Sequence, residues 1–563
     1  MFATTINNVT SAKRLLASGL AALGALCASV THAAVPGITG PSFNLTAAPA
    51  FITQPDGQAL YSWGYGCTGG SASGFAPPAI TTATFCNTMQ IPGPTLIVTE
   101  GDTVTVTLTN NLPAAAGNTS ILFPGFNITA SSPAASQPST CTATAAAPAG
   151  LLTTEAAPGC AVTYTFTAAS PGTRAYYSGT QGDLQIEMGL YGAVVVLPKT
   201  IQANCAAGLP ATNPGNNKKA QDAWHESDFR LAASAYDNPN TCYDREYLFQ
   251  FSEMDPSIHY AALAQVQAKV PTLQVPTEPY HPAYYLINGR SMPDDMDPNY
   301  SPQYPNQPYN GNPHMHPGEI TLLRIIGQGR WQHPFHEHAN HVRILARDGN
   351  LLTSATDPTA LAGPLMFTTT TTPGLAMDGL FYYTGKGLNW DMYGHNPSST
   401  DPTAKLACTP DDNGYNTGAP AALNYFEWCQ DHDKPMQAAP FGDVPAGGPV
   451  SLPDPNIFTN GAWWGGSPYL GPNATARATF SGCTPGYPGP VTGSNPPIPG
   501  SCSTSGTTPP SGTIANSPSS EAGYAFMWHS HNEREITTNN IFPGGMLMMM
   551  LVDSREFVID ESL

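Results

Sequence analysis

The chain has 563 residues, enough for two to four domains, each with its own core. Lys+Arg 20 against Asp+Glu 39 gives a formal charge of −19, which argues against nucleic acid or an anionic membrane surface as a partner. Only 10% of residues are charged, and Gly 54 with Pro 57 is the makeup of short strands joined by many turns.

Residues 1–33 read as a secretion signal. Lys13 and Arg14 supply the positive start, Leu15 to Val30 the apolar run, and Thr31-His32-Ala33 the small residues near a cut site. The expected location is periplasmic or secreted. No other segment approaches the ~20 apolar residues that span a bilayer, so no membrane span is expected. Cys27 falls inside the signal, and 10 of the 11 cysteines remain in the mature chain. An even count in an exported chain implies disulfides. None forms a CxxC pair, which disfavours a zinc ribbon or a thioredoxin-type site. The cysteines fall as sequence neighbours, and neighbour pairing is expected.

From 34 to 200 the pattern is β. Thr95-Leu96-Ile97-Val98-Thr99 leads through Gly101-Asp102 into the alternating Thr103-Val104-Thr105-Val106-Thr107-Leu108. Val162 to Phe166 alternates again, and Gly192 to Leu197 is continuously apolar. This segment is expected to form one Greek-key sandwich. Residues 201–245 read as a polar linker. A second β region, 246–563, starts at Tyr247 to Phe251. It continues through Tyr285 to Arg290, Glu319 to Ile326, His341 to Ala346, Leu380 to Tyr383, Tyr524 to Trp528 and Met546 to Val552. Tyr260–Lys269 is the best helical stretch. Residues 390–520 are rich in Gly, Pro, Ser and Asn and hold four mature cysteines. They read as a disulfide-stapled insertion, or as strands of a third sandwich.

Of 14 histidines, eight crowd into three segments: His314 and His316; His333, His336, His338 and His341; His529 and His531. On a strand, side chains at i and i+2 share a face, so each HxH pair can aim two imidazoles at one point. Imidazole suits copper, zinc, iron and nickel. Glu337, Glu533 and Glu535 lie close by, to orient imidazoles, ligate metal or handle protons. Glu337 alternates with His336 and His338 and is expected on the opposite, solvent-facing side. The run Met546-Leu547-Met548-Met549-Met550 reads as a core strand rather than as thioether ligands.

These residues resemble the multicopper oxidase (cupredoxin) family. Gly93-Pro94-Thr95 through Leu112-Pro113, Pro171-Gly172-Thr173 and Gly189 to Ala193 resemble the family's first domain. His333-Pro334-Phe335-His336-Glu337-His338 resembles its HPxHxH segment, and His529-Ser530-His531 before Gly545-Met546 its terminal HCH segment. The resemblance implies an all-β fold of tandem cupredoxin-like Greek-key β-sandwiches, two or three in number. It also marks losses. Leu122, Pro124, Tyr177 and Gly179 stand where the first domain's copper histidines belong. Ser530 stands for the blue-site cysteine and Glu535 for one of its histidines. Without the thiolate no blue copper centre forms.

The resemblance further implies an exported copper-binding oxidoreductase acting on a small molecule or a metal ion. It would hold one or two copper ions, with zinc and manganese as alternatives. His336, His338, His529 and His531 match cluster ligands and His333 a blue-site ligand. His314 and His316 lie outside the family pattern and are candidates to replace lost ligands. Glu535 and Glu533 are the candidate proton carriers. The alternatives are a non-enzymatic copper-delivery protein and a metal-free cupredoxin scaffold. The sequence carries no signal for an oligomeric state.

Overall fold

The computed structural model describes residues 35–67, 74–77, 85–131, 141, 152–206, 221, 223–383, 408–422, 425–427, 430, 467–470, 522–553, 555 and 558–561. The expected secretion signal and most of the expected 390–520 insertion lie outside the described residues.

The strands form four sheets. Two are built from residues 37–197. One has the order Gly74–Ala76, Gly37–Thr39, Leu96–Thr99, Tyr191–Leu197, Gly172–Tyr177. Its partner has the order Ala59–Cys67, Ser42–Thr53, Thr103–Asn110, Ala161–Thr167, Thr129–Ser131. The alternation in Thr103–Asn110 appears in space: Val104, Val106 and Leu108 are buried while Thr103 is exposed. They pack against Leu96, Val98, Val194 and Val196 of the facing sheet.

Two further sheets form the C-terminal sandwich. One runs Tyr284–Ile287, Arg245–Met254, Ile320–Gly327, Ala376–Tyr382, Val342–Arg347, Asn350–Leu351. The other runs His314–Met315, Leu547–Asp553, Ala522–Ser530, His333–Glu337, Thr368–Thr371. Phe249, Phe251, Leu323 and Ile325 of the first meet Phe335, Trp528, Met548 and Met550 of the second. The methionine run is thus a core strand. The fold is all-β and cupredoxin-like, as expected. Ser467–Leu470, inside the expected insertion, pairs with Ala522–Ser530 and so adds to this second sheet.

The continuous apolar strand Tyr191–Leu197 has a physical reason. Val194 and Val196 face their own sandwich, while Ala193 and Val195 pack on Leu248, Ile326 and Ala376 of the other. Both faces are therefore buried. Polar groups close the same boundary. The Asp378 carboxylate accepts the Thr173 N–H at 3.1 Å, the Thr173 hydroxyl at 2.6 Å and the Tyr236 hydroxyl at 2.5 Å. Arg324, beside it, pairs with Glu246 at 2.9 Å.

The helix begins earlier than its apolar pattern indicates. It spans Pro256–Gln267, because Asp255 caps it by accepting the Ser257 N–H and Pro256 suits the first turn. Its Ile258 and Ala262 join the core of the N-terminal sandwich. Within 201–245, Tyr236 and Tyr243 are buried against Leu322 and Leu345.

Neighbour pairing of cysteines holds for Cys67–Cys86, Cys141–Cys160 and Cys205–Cys242, and Cys408 is also disulfide-bonded. Thiol counting on denatured, unreduced mature protein is expected to find close to no free thiol; a majority of free cysteines would contradict the pairing. Asp378→Ala, which strips a buried carboxylate from the domain boundary, is expected to cost about 3–5 kcal/mol in denaturant unfolding.

Candidate metal centre

Two neighbouring strands make the site. His333–Glu337 pairs antiparallel with Ala522–Ser530, and His336 lies directly opposite His529. Burial alternates along both. His333, Phe335 and Glu337 are buried, as are Phe526, Trp528 and Ser530. His336 and His529 are half-buried on the outer face, and His338 and His531 follow them two residues later.

The four imidazoles converge. Ring centroids are 4.9 Å apart for His336 and His338, 4.9 Å for His336 and His531, and 5.6 Å for His336 and His529. His338 and His529 lie 5.3 Å apart by centroid, with their Nε2 atoms at 3.2 Å. His529 Nδ1 donates to the Ser530 carbonyl at 2.7 Å, which leaves its Nε2 lone pair facing the cluster. His336 Nδ1 is 2.7 Å from Thr368 Oγ1. Both contacts are of the kind that orients a metal-binding imidazole.

Burial and mutual repulsion favour the neutral form of three of these rings. Burial, then the neighbouring rings of His529 and His531, lowers the His336 pKa to about 4. Burial, then His336 and the other rings, lowers that of His338 to about 3. Burial lowers His529 as well. Neutral imidazoles are the form that binds metal. One donor pair, His338 and His529, has the spacing of two ligands on a shared metal ion. Two nitrogens ~2.0 Å from a tetrahedral ion sit about 3.3 Å apart, and the His338–His529 Nε2 separation is 3.2 Å. His531 is exposed, so the cluster opens to solvent. Phe367, 54% exposed, flanks it, with ring centroids 5.8 Å from His336 and 5.1 Å from His341.

The inner face holds a different arrangement. His333 does not join the cluster. Its Nδ1 is 2.9 Å from Glu535 Oε2 and its Nε2 is 2.9 Å from Glu253 Oε2. Burial alone would lower its pKa, but the hydrogen bonds and charges of Glu253 and Glu535 raise it to about 9. His333 is therefore an imidazolium between two carboxylates. Glu535 is buried and also accepts the Ser530 hydroxyl at 2.5 Å and Asn532 Nδ2 at 3.0 Å. It sits on the turn Glu533–Ile536, where Glu533 is exposed. Glu253, on Arg245–Met254, was not singled out from sequence. A carboxylate in a strand with every residue buried was the available signal.

Two expectations need correction. Glu337 lies on the face opposite the imidazoles, as alternation requires, but that face is the core and not solvent. Burial raises its pKa to about 8, and Thr369 Oγ1 donates to it at 3.0 Å. His314 and His316 do not replace lost ligands. His314 pairs in register with Leu551, four residues beyond the Leu547 that faces His529. His314 Nδ1 is 3.2 Å from Asp553, and His316 Nε2 is 3.2 Å from Glu226. Glu226, His316 and Glu319 do lie close enough to hold an ion, but the Arg245 guanidinium pairs with both carboxylates.

Residues 76–201 match the family model described as multicopper oxidase. A search of curated proteins found no match. Similar solved structures include a blue copper oxidase from Nitrosomonas europaea at 14% identity and TM-score 0.42, covering 91% of this chain and 85% of that one. The multicopper oxidase mgLAC shares 12% identity at TM-score 0.41, covering 92% and 87%. A copper nitrite reductase from Nitrosomonas europaea shares 19% at TM-score 0.36, covering 60% and 83%.

Within residues 76–201, three of the positions where the resemblance expects copper histidines, Leu122, Tyr177 and Gly179, lie against one another. Leu122 and Tyr177 bond to each other through their backbones, at 2.7 and 3.3 Å. A Cβ at Gly179 would meet Leu122 Cγ and Thr153 Cγ2, each at 2.8 Å, so a side chain there requires those two neighbours to shift. Ser178, between them, is buried and donates to Gln185 at 2.7 Å.

The His333 pKa has a stability consequence. A group raised in the folded state stabilises fully below its unfolded value, near 6.5, and loses that contribution as pH rises through about 9. Denaturant unfolding of the wild type between pH 6 and 9.5 is expected to show this decline, and His333→Gln to flatten it. An equal slope in both proteins would contradict the buried imidazolium.

Proposed function

We propose that the protein is an exported copper oxidoreductase of multicopper oxidase type, with a reduced site on the outer face of its C-terminal sandwich. The observation that carries this reading is the convergence of four imidazoles on a face open to solvent. His336, His338, His529 and His531 would hold one or two copper ions, and copper there would supply one-electron chemistry with dioxygen or a small reductant. All-nitrogen donors favour copper or zinc over manganese, which prefers oxygen ligands.

The remaining residues have separable roles. Thr368 and the Ser530 carbonyl orient the rings. The exposed His531 side is the approach for a small-molecule or metal-ion substrate, with Phe367 as an apolar wall. On the inner face, the charge of His333 is balanced by Glu253 and Glu535, so no blue copper is needed to fill that position. Glu535 acts on the cluster through Ser530 and not as a direct proton carrier; Glu533 is left without a role. The disulfides among the described residues support an oxidising compartment, periplasmic or secreted.

A second reading, copper binding or delivery without catalysis, is favoured by Ser530. With no thiolate, the usual route for electrons from large substrates is gone. Oxygen uptake with phenols, Fe(II), Mn(II) and Cu(I) separates the two.

His338→Ala or His529→Ala is expected to weaken metal binding by at least about tenfold, since losing even an outer partner costs that much. The exposed His281→Ala should leave metal content unchanged. The copper-loaded protein should be pale, with the wide hyperfine splitting of nitrogen and oxygen ligation. Equal metal loading in all variants, or an intense thiolate band, would overturn the assignment.

A further inference from the structure

The inner-face network does not end at Glu253. Glu253 Oε1 accepts the backbone N–H groups of Arg330 at 2.7 Å and Trp331 at 2.9 Å, and the Tyr280 hydroxyl at 3.3 Å. The same hydroxyl donates to Glu187 Oε2 at 2.6 Å. Glu187 lies within residues 76–201 and is fully buried. Its Oε1 accepts the Asp255 N–H at 2.5 Å and lies 3.6 Å from His259 Nε2. Tyr280 therefore sits between two buried carboxylates, one from each sandwich.

Its ring has an equally defined setting. The Trp331 ring meets it edge-on at 5.4 Å and 89°, and the Arg330 guanidinium lies 4.1 Å above it. Trp331 is 38% exposed and Tyr280 only 9%. Two residues beyond Trp331 is His333, and the same strand carries His336 three residues later, about 10 Å on. An aromatic pair thus connects the surface with the strand that bears the imidazole cluster.

A phenol loses an electron readily only when its proton leaves with it. That needs a fixed acceptor within hydrogen-bond reach. A carboxylate at 2.6 Å meets the requirement, and a short charge-assisted bond holds it in line. We propose that Tyr280 is a redox-active tyrosine, with Glu187 as its proton acceptor and Trp331 as its contact with small electron-rich aromatic donors. In the forward step the Tyr280 O–H bond breaks. The proton goes to Glu187 Oε2, and the electron would be taken up by a one-electron acceptor, the oxidised metal ion that His336, His338, His529 and His531 would hold. In the return step a phenol-class donor gives one electron through Trp331 and releases its own proton to solvent, and Glu187 returns its proton to Tyr280. The relay stands in for the missing blue centre. Only its acceptor end rests on the copper reading. Burial raises the Glu187 pKa above the ordinary carboxylate value, which suits a proton acceptor.

The test uses the metal-free, disulfide-intact protein and hexachloroiridate(IV) as a one-electron oxidant, with rapid freezing and electron paramagnetic resonance. The wild type is expected to give a tyrosyl radical signal. Tyr280→Phe should lose it, Glu187→Gln should sharply reduce its yield, and Trp331→Phe should slow its formation. Tyr260→Phe, at a 44% exposed tyrosine, should leave it unchanged. Denaturant unfolding of each variant separates loss of signal from loss of fold. A radical yield in folded Tyr280→Phe equal to wild type overturns the proposal, as does an unchanged yield in Glu187→Gln. Because no metal is present, failure here leaves the copper reading standing, and failure of metal binding leaves the tyrosine result standing.

Discussion

The functional half of the molecule depends on the register between His333–Glu337 and Ala522–Ser530. Side chains alternate strictly along a strand, and a slip of one residue would exchange the two faces completely. With His336 opposite His529, the imidazoles of both HxH pairs reach the outer face together. The same register brings Phe335 and Trp528 into one core, with ring centroids 6.2 Å apart. Core packing and site assembly are thus one constraint. Burying Phe335 and Trp528 correctly obliges the imidazoles to converge.

The inner face satisfies its own buried polar groups without a thiolate. A buried unpaired histidine, serine and carboxylate would each carry a desolvation cost. Here they satisfy one another: Ser530 donates to Glu535, Glu535 meets His333, and His333 meets Glu253. A single positive imidazolium between two negative groups leaves a net charge that hydrogen bonds from the Arg330 and Trp331 backbone then spread. The first-domain positions follow the same logic by apolar means. Leu122 lies beside Gly179, so a histidine there would require the Leu122 and Thr153 side chains to shift.

Much of this was legible from local pattern. The two histidines of each HxH pair lie two residues apart, and a period of two is enough to place both rings on one face. The sandwich strands and the cysteine neighbours were visible for the same reason, and the losses at Ser530 and Glu535 are what the family resemblance implies. What escaped were relations set by distant chain segments. Glu253 and Glu187 become partners of His333 and Tyr280 only once two sandwiches pack. His314 and His316 carry the same HxH signal as the others, but the strand beside Leu551 holds them four residues away from the cluster's level. Local pattern also left Glu337 in solvent, because alternation gives the face but not what covers it. The helix start moved to Pro256 because a cap and a proline, not apolar spacing, set it.

The central claim is that metal binds on the outer face and not in the former blue-site position. Crystals of copper-loaded protein, measured at the copper absorption edge, locate the ion directly by anomalous scattering. The account predicts density among His336, His338, His529 and His531, with the interior around His333, Ser530 and Glu535 empty of metal. Density on the inner face beside His333, or at Glu226, His316 and Glu319, with none among the four imidazoles, would contradict it.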